Sequence, residues 1–164
     1  GVWKGFVEFQ RLGFIERLPR LLAVQAEGSA AIVRAAAGDG VIRPVSGETV
    51  ADSISVSLPR DGEAAVRAIR DSGGFGVTVP DAAILAAIGE LARGSGVFAE
   101  PAAAASWAGL KEAVRQGRVD PGWRVVALVT GNGLKDVASA MKVAGEPRVI
   151  PPEAAVLDTL FPEG

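Results

Sequence analysis

The stretch best suited to chemistry is Thr130-Gly131-Asn132-Gly133. An apolar, β-branched run, Val125–Val129 of the predicted strand Arg124–Val129, stops abruptly there, and a helical pattern begins at Leu134-Lys135-Asp136. Strand, glycine turn and helix in that order place backbone N–H groups and a small hydroxyl at the carboxyl edge of a parallel strand. Open α/β sheets bind ligands at that edge, although the same succession also serves as plain architecture. A second strand-to-helix junction is predicted at Val97–Glu100, ahead of Pro101. In one parallel sheet both junctions reach the same edge, which makes Glu100 and Thr130 candidates for a shared pocket. Taken alone, Glu100 reads better as a solvated carboxylate favoured by the dipole of the helix it opens, worth about 0.3–1 kcal/mol.

The available reagents narrow the chemistry. The chain has no histidine and no cysteine, so histidine triads, thiolate nucleophiles, disulfides and the usual nitrogen and sulfur metal ligands are excluded; no metal site is expected. Catalysis must then use lysine, carboxylates, hydroxyls, backbone groups or a borrowed cofactor. The lysines are Lys4, Lys111, Lys135 and Lys142. Lys135 begins a helical pattern rather than lining a desolvated pocket, which argues against a nucleophile, and Lys4 reads as a solvated helix residue. The net charge of −2, with acids and bases interspersed, leaves no electrostatic footprint for nucleic acid. No apolar run approaches the roughly 18 residues of a membrane span, and no signal-peptide pattern opens the chain. The expected location is the cytoplasm.

The 164 residues suit one domain or the larger part of one, and the hydrophobic 49% is dominated by alanine and glycine with only 5% aromatics. Small residues allow helices to pack closely on a sheet. Gly1–Leu18 carries apolar residues at helical spacing with a break at Gly13, and it opens without Met, cap or lead-in turn, so an upstream segment is expected. Pro19 ends it. Leu21–Ala26 reads as a strand, Glu27-Gly28-Ser29 as a turn, and Ala30–Ala37 as a helix. Residues 38–58 are irregular, with Ile54, Val56 and Leu58 alternating with serines as in an exposed strand or extended loop. Glu63–Asp71 is a helix, Phe75–Val79 a strand, Ala82–Arg93 and Ala102–Gln116 helices, and Leu134–Ala144 a further helix. Pro147, Pro151, Pro152 and Pro162 imply an extended tail with one short helix at most. The rhythm is α/β: a three-layer sandwich with a mainly parallel sheet flanked by helices.

Several segments are more than generic. The residues GVWKGFVEFQRLGFIERLPRLLAVQAEGSA (1–30), ETVADSISV (48–56), RDSGGFGVTVPDAAI (70–84), GVFAEPAAAASWAGL (96–110) and VVALVTGNGLKD (125–136) resemble the C-terminal half of the threonine synthases. These are pyridoxal-phosphate enzymes of the tryptophan-synthase-β, fold type II group. The order and spacing match over nearly the whole chain. The resemblance implies that residues 1–150 form the C-terminal portion of the large cofactor-binding domain and 151–164 a tail. It implies pyridoxal 5′-phosphate as cofactor, with the Thr130 hydroxyl on the pyridine nitrogen, Ser53 against one ring face and Glu100 near the ring edge. Gly131 and Gly133 would let the backbone approach the cofactor closely. A hydroxyl can hydrogen-bond the nitrogen but cannot hold it protonated as a carboxylate would, which makes the ring a tempered electron sink.

In that family the Schiff-base lysine and the Gly/Asn-rich loop for the cofactor phosphate lie upstream of the position matching Gly1. No lysine of this chain sits in the family's lysine context, so no catalytic residue is assigned here and the fragment alone is expected to be inactive. The implied whole enzyme is a carbon–oxygen lyase and a homodimer, converting O-phospho-L-homoserine and water to L-threonine and phosphate. Two other readings stand beside it. One is a threonine or serine ammonia-lyase-like enzyme fragment, a group that tends to have glycine where Ser53 stands. The other is a non-catalytic interaction module of the same fold.

Overall fold

The computed structural model describes residues 1–146 and 149–160. Helices flank a small parallel sheet. In chain order the elements are α1 (Val2–Arg11), β1 (Leu22–Ala26), α2 (Ala31–Ala37), α3 (Gly62–Asp71), β2 (Phe75–Val79), α4 (Asp81–Ser95), α5 (Pro101–Arg115), α6 (Val137–Ala144) and α7 (Ala154–Leu160). Short 3-10 turns lie at Glu27–Ser29, Asp52–Ile54 and Gly133–Lys135. No helix among the described residues is long and apolar enough to cross a membrane.

Strands β1 and β2 pair in parallel, from Leu22 opposite Phe75 to Ala26 opposite Val79. Successive side chains alternate between the faces. On one face Gln25 accepts a hydrogen bond from the Val33 amide of α2 (2.8 Å), and a Cβ on Gly76 would meet the Val33 side chain. On the other, a Cβ on Gly109 of α5 would overlap Val24. Both helices lie so close that a glycine is required at each contact. α3 backs α2 and α4 backs α5, completing the α/β/α layers. The core beside α5 is built from Ala26, Val79, Ile84, Ala87, Ile88, Ala99, Ala103, Ala104 and Ala108, with Ala51 from the long loop.

Most boundaries follow local chemistry. α1 stops at Arg11 because Gly13 takes φ +77°, the left-handed region that favours glycine. The Phe14 amide then donates back to the Phe9 carbonyl (2.9 Å), a Schellman-type closure. The predicted continuation to Leu18 does not form, since that closure and Pro19 both oppose it. α4 ends at Gly96, also left-handed at φ +72°. α5 carries Pro101 at its first position, where the missing N–H costs nothing. Glu90 of α4 accepts hydrogen bonds from Trp107 Nε1 (2.9 Å) and Lys111 Nζ (2.6 Å) of α5. Lys111 first, and Trp107 second, holds the Glu90 carboxyl below its ordinary 4.5.

Two predicted strands are absent, and both absences bear on the site. Arg124–Val129 pairs with no described residue, and Val126 is 77% exposed. β-Branched composition suits a strand, but a ladder also needs a neighbour to exchange hydrogen bonds with. Val97–Ala99 is likewise no strand; Ala99 forms one antiparallel bridge with Asn132. The 54–58 alternation belongs to a loop with no solvent-facing and core-facing sides: Val56 and Leu58 are exposed along with Ser55 and Ser57. The tail contains α7, as the one-short-helix expectation allowed, while Pro147, Pro162 and the rest of 161–164 lie outside the described residues.

The packing at Gly109 can be tested directly. Gly109→Val should lower the denaturation midpoint, because overpacking strain of about 1–3 kcal/mol exceeds the few tenths gained in helix propensity. Gly94→Ala, where nothing lies within 4 Å of the added Cβ, should hold or raise it. The Glu90 contacts carry a pH dependence. Because its folded pKa is depressed, the stabilisation is complete above its ordinary 4.5 and is lost as pH falls through the folded value. Acid denaturation followed by tryptophan fluorescence should show a shallower loss in that window for Glu90→Gln.

Candidate functional site

Both strands deliver their carboxyl ends to one edge. β1 runs into Glu27–Ser29 and β2 into Pro80-Asp81. The loop bearing Ser53 is fastened to both exits. At the β1 exit, the Gly28 carbonyl accepts from the Gly47 amide (2.9 Å), and a Cβ on Gly28 would collide with the Glu48 carbonyl. The fully buried Ser29 hydroxyl donates to the Ile54 carbonyl (2.8 Å) and accepts from the Val56 amide (2.9 Å). At the β2 exit, Asp81 accepts from the Val50 amide (3.0 Å) and from the Thr49 hydroxyl, which itself accepts from the Ala51 amide (3.2 Å). Ala51 is driven into the core, and Ser53 rides on the exposed 3-10 turn just beyond it.

Glu100 caps α5 at the same edge, and it is not the solvated helix-end carboxylate that the isolated sequence favoured. It is only 6% exposed. Its Oε1 meets Lys135 Nζ at 3.1 Å and its Oε2 lies 3.5 Å from the Ser53 hydroxyl. The carboxylate fills the space in which a side chain on residue 131 would lie. The Glu100 amide donates to the Gly131 carbonyl (3.0 Å), and the Gly133 amide donates to the Phe98 carbonyl (2.9 Å). Gly133 is buried against the Phe98 ring.

The structure thus brings Ser53, Glu100 and Gly131 together, with Gly133 one step away. Sequence reasoning expected two parallel strand ends; the meeting is made instead by an antiparallel bridge between irregular segments. Thr130 precedes this contact, exposed, and its hydroxyl makes no hydrogen bond with any described residue. Both glycines have an intramolecular reason to lack a side chain. The turn after them is ordered by Asn132, which accepts from the Leu134 amide (2.9 Å), and by Asp136, which accepts from the Ser139 amide (2.9 Å) to cap α6. That last bond holds the Asp136 carboxyl below its usual range.

Three of the lysines are held in ion pairs, one of them within the site. Lys4 pairs with Glu8, Lys111 with Glu90 and Lys135 with Glu100. Two open grooves, one beside Trp107 and Trp123 and one beside Arg34 and Arg43, contain none of the candidate residues. The candidate site is an open edge over a close-packed floor.

Thr49, Asp81 and Ser29 build the site without a local sequence signal for it. Asp81 reads in sequence only as a helix opener, and Ser29 only as part of a turn. Their partners lie 25 to 32 residues away, beyond any local pattern.

An α/β fold with a polar cluster at the carboxyl edge of a parallel sheet now meets the comparisons with known proteins. The pattern of the pyridoxal-phosphate dependent enzymes matches residues 1–131, and the chain belongs to that family. Its similarity to curated members runs through the threonine synthases. That of Methanocaldococcus jannaschii is 38% identical over 164 residues, covering 99% of this chain and 40% of the relative. That of Mycobacterium tuberculosis strain H37Rv is 46% identical over 140 residues, 85% of this chain and 37% of the relative. That of Mycobacterium leprae is 43% identical over 159 residues, 96% and 42% respectively. The chain therefore spans about 40% of the length of the curated relatives it matches.

The Asp81 fastening predicts a local effect. Asp81→Ala should cost about 1.5–3 kcal/mol, the usual range for hydrogen bonds to a charged acceptor, and Asp81→Asn less. Hydrogen exchange at Val50 and Ala51 should accelerate in the alanine variant before the amides of β2 respond.

Proposed function

We propose that this chain is the part of a threonine synthase that forms the pyridine-ring side of a pyridoxal 5′-phosphate site. The observation that carries the reading is the gathering of Ser53, Glu100 and Gly131 beside the free Thr130 hydroxyl at the carboxyl edge. The threonine-synthase similarity over that same stretch supports it. The donor set suits a heteroaromatic ring better than a phosphate dianion. It offers a neutral hydroxyl, a small residue on a pinned turn and a buried carboxylate, while the nearby cation, Lys135, is already paired.

Pyridoxal 5′-phosphate, when bound, supplies an electron sink for bond cleavage at the substrate's carbon atoms. Thr130 would donate its hydroxyl proton in a hydrogen bond to the ring nitrogen, leaving that nitrogen without a full charge. Ser53 would lie against a ring face, its small side chain admitting the close approach. Glu100 would border the ring edge, and Gly131 with Gly133 would keep the adjoining backbone near. The Schiff-base lysine and the phosphate-holding loop are assigned to the portion of the enzyme outside this chain's match. The whole enzyme would take O-phospho-L-homoserine and water to L-threonine and phosphate. Ser53 favours this over an ammonia-lyase, a group that tends to have glycine there.

The test uses the intact protein that carries this sequence, loaded with pyridoxal 5′-phosphate. Phosphate release from O-phospho-L-homoserine should exceed ammonia release from threonine; formation of 2-oxobutyrate without phosphate would overturn the choice. Thr130→Val should lower turnover roughly fivefold, the equivalent of about 1 kcal/mol for one neutral hydrogen bond. Thr130→Ser should retain most of it.

A further inference from the structure

We infer that Lys135 is a positioning residue for this site: its ammonium holds the Glu100 carboxylate against Gly131 and so fixes the Ser53 turn relative to the Thr130 turn. The inference rests on the functional reading above only for what the two turns contact. The clasp itself stands on geometry. Glu100 is nine-tenths buried, and its two oxygens face different segments, Oε1 toward Lys135 at 3.1 Å and Oε2 toward Ser53 at 3.5 Å. The same carboxylate occupies the space beside the Gly131 Cα. One side chain therefore touches the 52–54 turn, the 130–133 turn and, through its own backbone, the first turn of α5.

Lys135 is well placed to hold it. It closes the 3-10 turn Gly133–Lys135, its amide donating to the Asn132 carbonyl (3.1 Å) while Asn132 Oδ1 caps Leu134. The backbone bonds Glu100 to Gly131 and Gly133 to Phe98 keep that turn against the Glu100 segment. The lysine side chain is 60% exposed but its partner only 7%. Two exposed partners would contribute little. With one partner buried, loss of the cation leaves a carboxylate whose remaining side-chain contact is the long one to Ser53, and such a group draws in water or moves outward. Either response loosens the carboxylate's hold between the two turns, each of which keeps its other fastenings. The exposed ammonium also explains why Lys135 acts through Glu100 rather than as a nucleophile, since nothing desolvates it.

The experiment compares Lys135→Met, Lys135→Arg and the double variant Glu100→Gln/Lys135→Met in the intact protein, first without cofactor and then titrated with pyridoxal 5′-phosphate. Without cofactor, Lys135→Met should lose about tenfold in hydrogen-exchange protection at the Glu100 and Gly133 amides. Lys135→Arg should restore most of it, and Glu100→Gln should rescue part, because a neutral amide no longer needs the cation. With cofactor, Lys135→Met should weaken pyridoxal 5′-phosphate binding by roughly three- to tenfold and move its absorption band, as expected when a supporting contact is loosened; arginine should return both toward wild type. Unchanged exchange, or changed exchange with wild-type cofactor affinity and absorption, would overturn the inference. Failure of the wild-type protein to take up pyridoxal 5′-phosphate would instead overturn the functional reading, and the exchange measurements would still decide whether the clasp exists.

Discussion

The close seating of α5 on the parallel pair is the constraint on which the rest depends. Gly109 has no side chain because Val24 occupies its place, and Ala103, Ala104 and Ala108 line the same helix in the core. Small residues at a helix–sheet contact shorten the distance between layers and raise the dispersion contact of the flanking atoms. Once α5 is seated there, its N-terminus must emerge at the carboxyl ends of β1 and β2. Glu100, as the N-cap, is carried to that edge and buried there. A larger residue at 109 would displace Glu100 along with the helix.

The loop over the edge is held by a different kind of force. Its apolar contribution is small, with Ala51 as the buried anchor and Ile54 partly covered. Its order comes from polar groups with defined directions. Ser29 satisfies one end and the Asp81–Thr49 pair the other. Such groups are expensive to bury unless each finds its partner, and here the buried side-chain nitrogens and oxygens among the described residues all have one. The outcome is a turn fixed at both ends with its middle, Ser53, open to solvent. An apolar floor supplies stability and a polar fastening supplies position.

Much of the chain is legible in its sequence. Local signals placed β1, β2 and the helices from α2 to α6 within a few residues, because glycine, proline and apolar spacing act within a turn or two of their own position. The misreadings share one cause. Arg124–Val129 and Val97–Ala99 have strand composition, yet a strand is a relation between two segments and composition describes only one. Taken alone, FAEP favours a solvated Glu100, because nothing local to it indicates that Gly131, some thirty residues on, leaves room for its carboxylate. The two junctions do lie together, through an antiparallel bridge and not through the parallel sheet that their composition suggests.

The sequence by itself determined the succession of α/β elements, the exclusion of histidine and cysteine chemistry, and, through motifs in register, the pyridoxal-phosphate family. Those properties are written in residue identity and short-range spacing. Only the tertiary structure decided that Glu100 is buried, that Lys135 is its counter-ion, that Asp81 and Ser29 pin the Ser53 turn, and that Thr130 keeps a free hydroxyl. Each of these depends on which distant groups compete for the same small volume at the sheet edge. That competition is settled by packing and hydrogen-bond geometry in three dimensions.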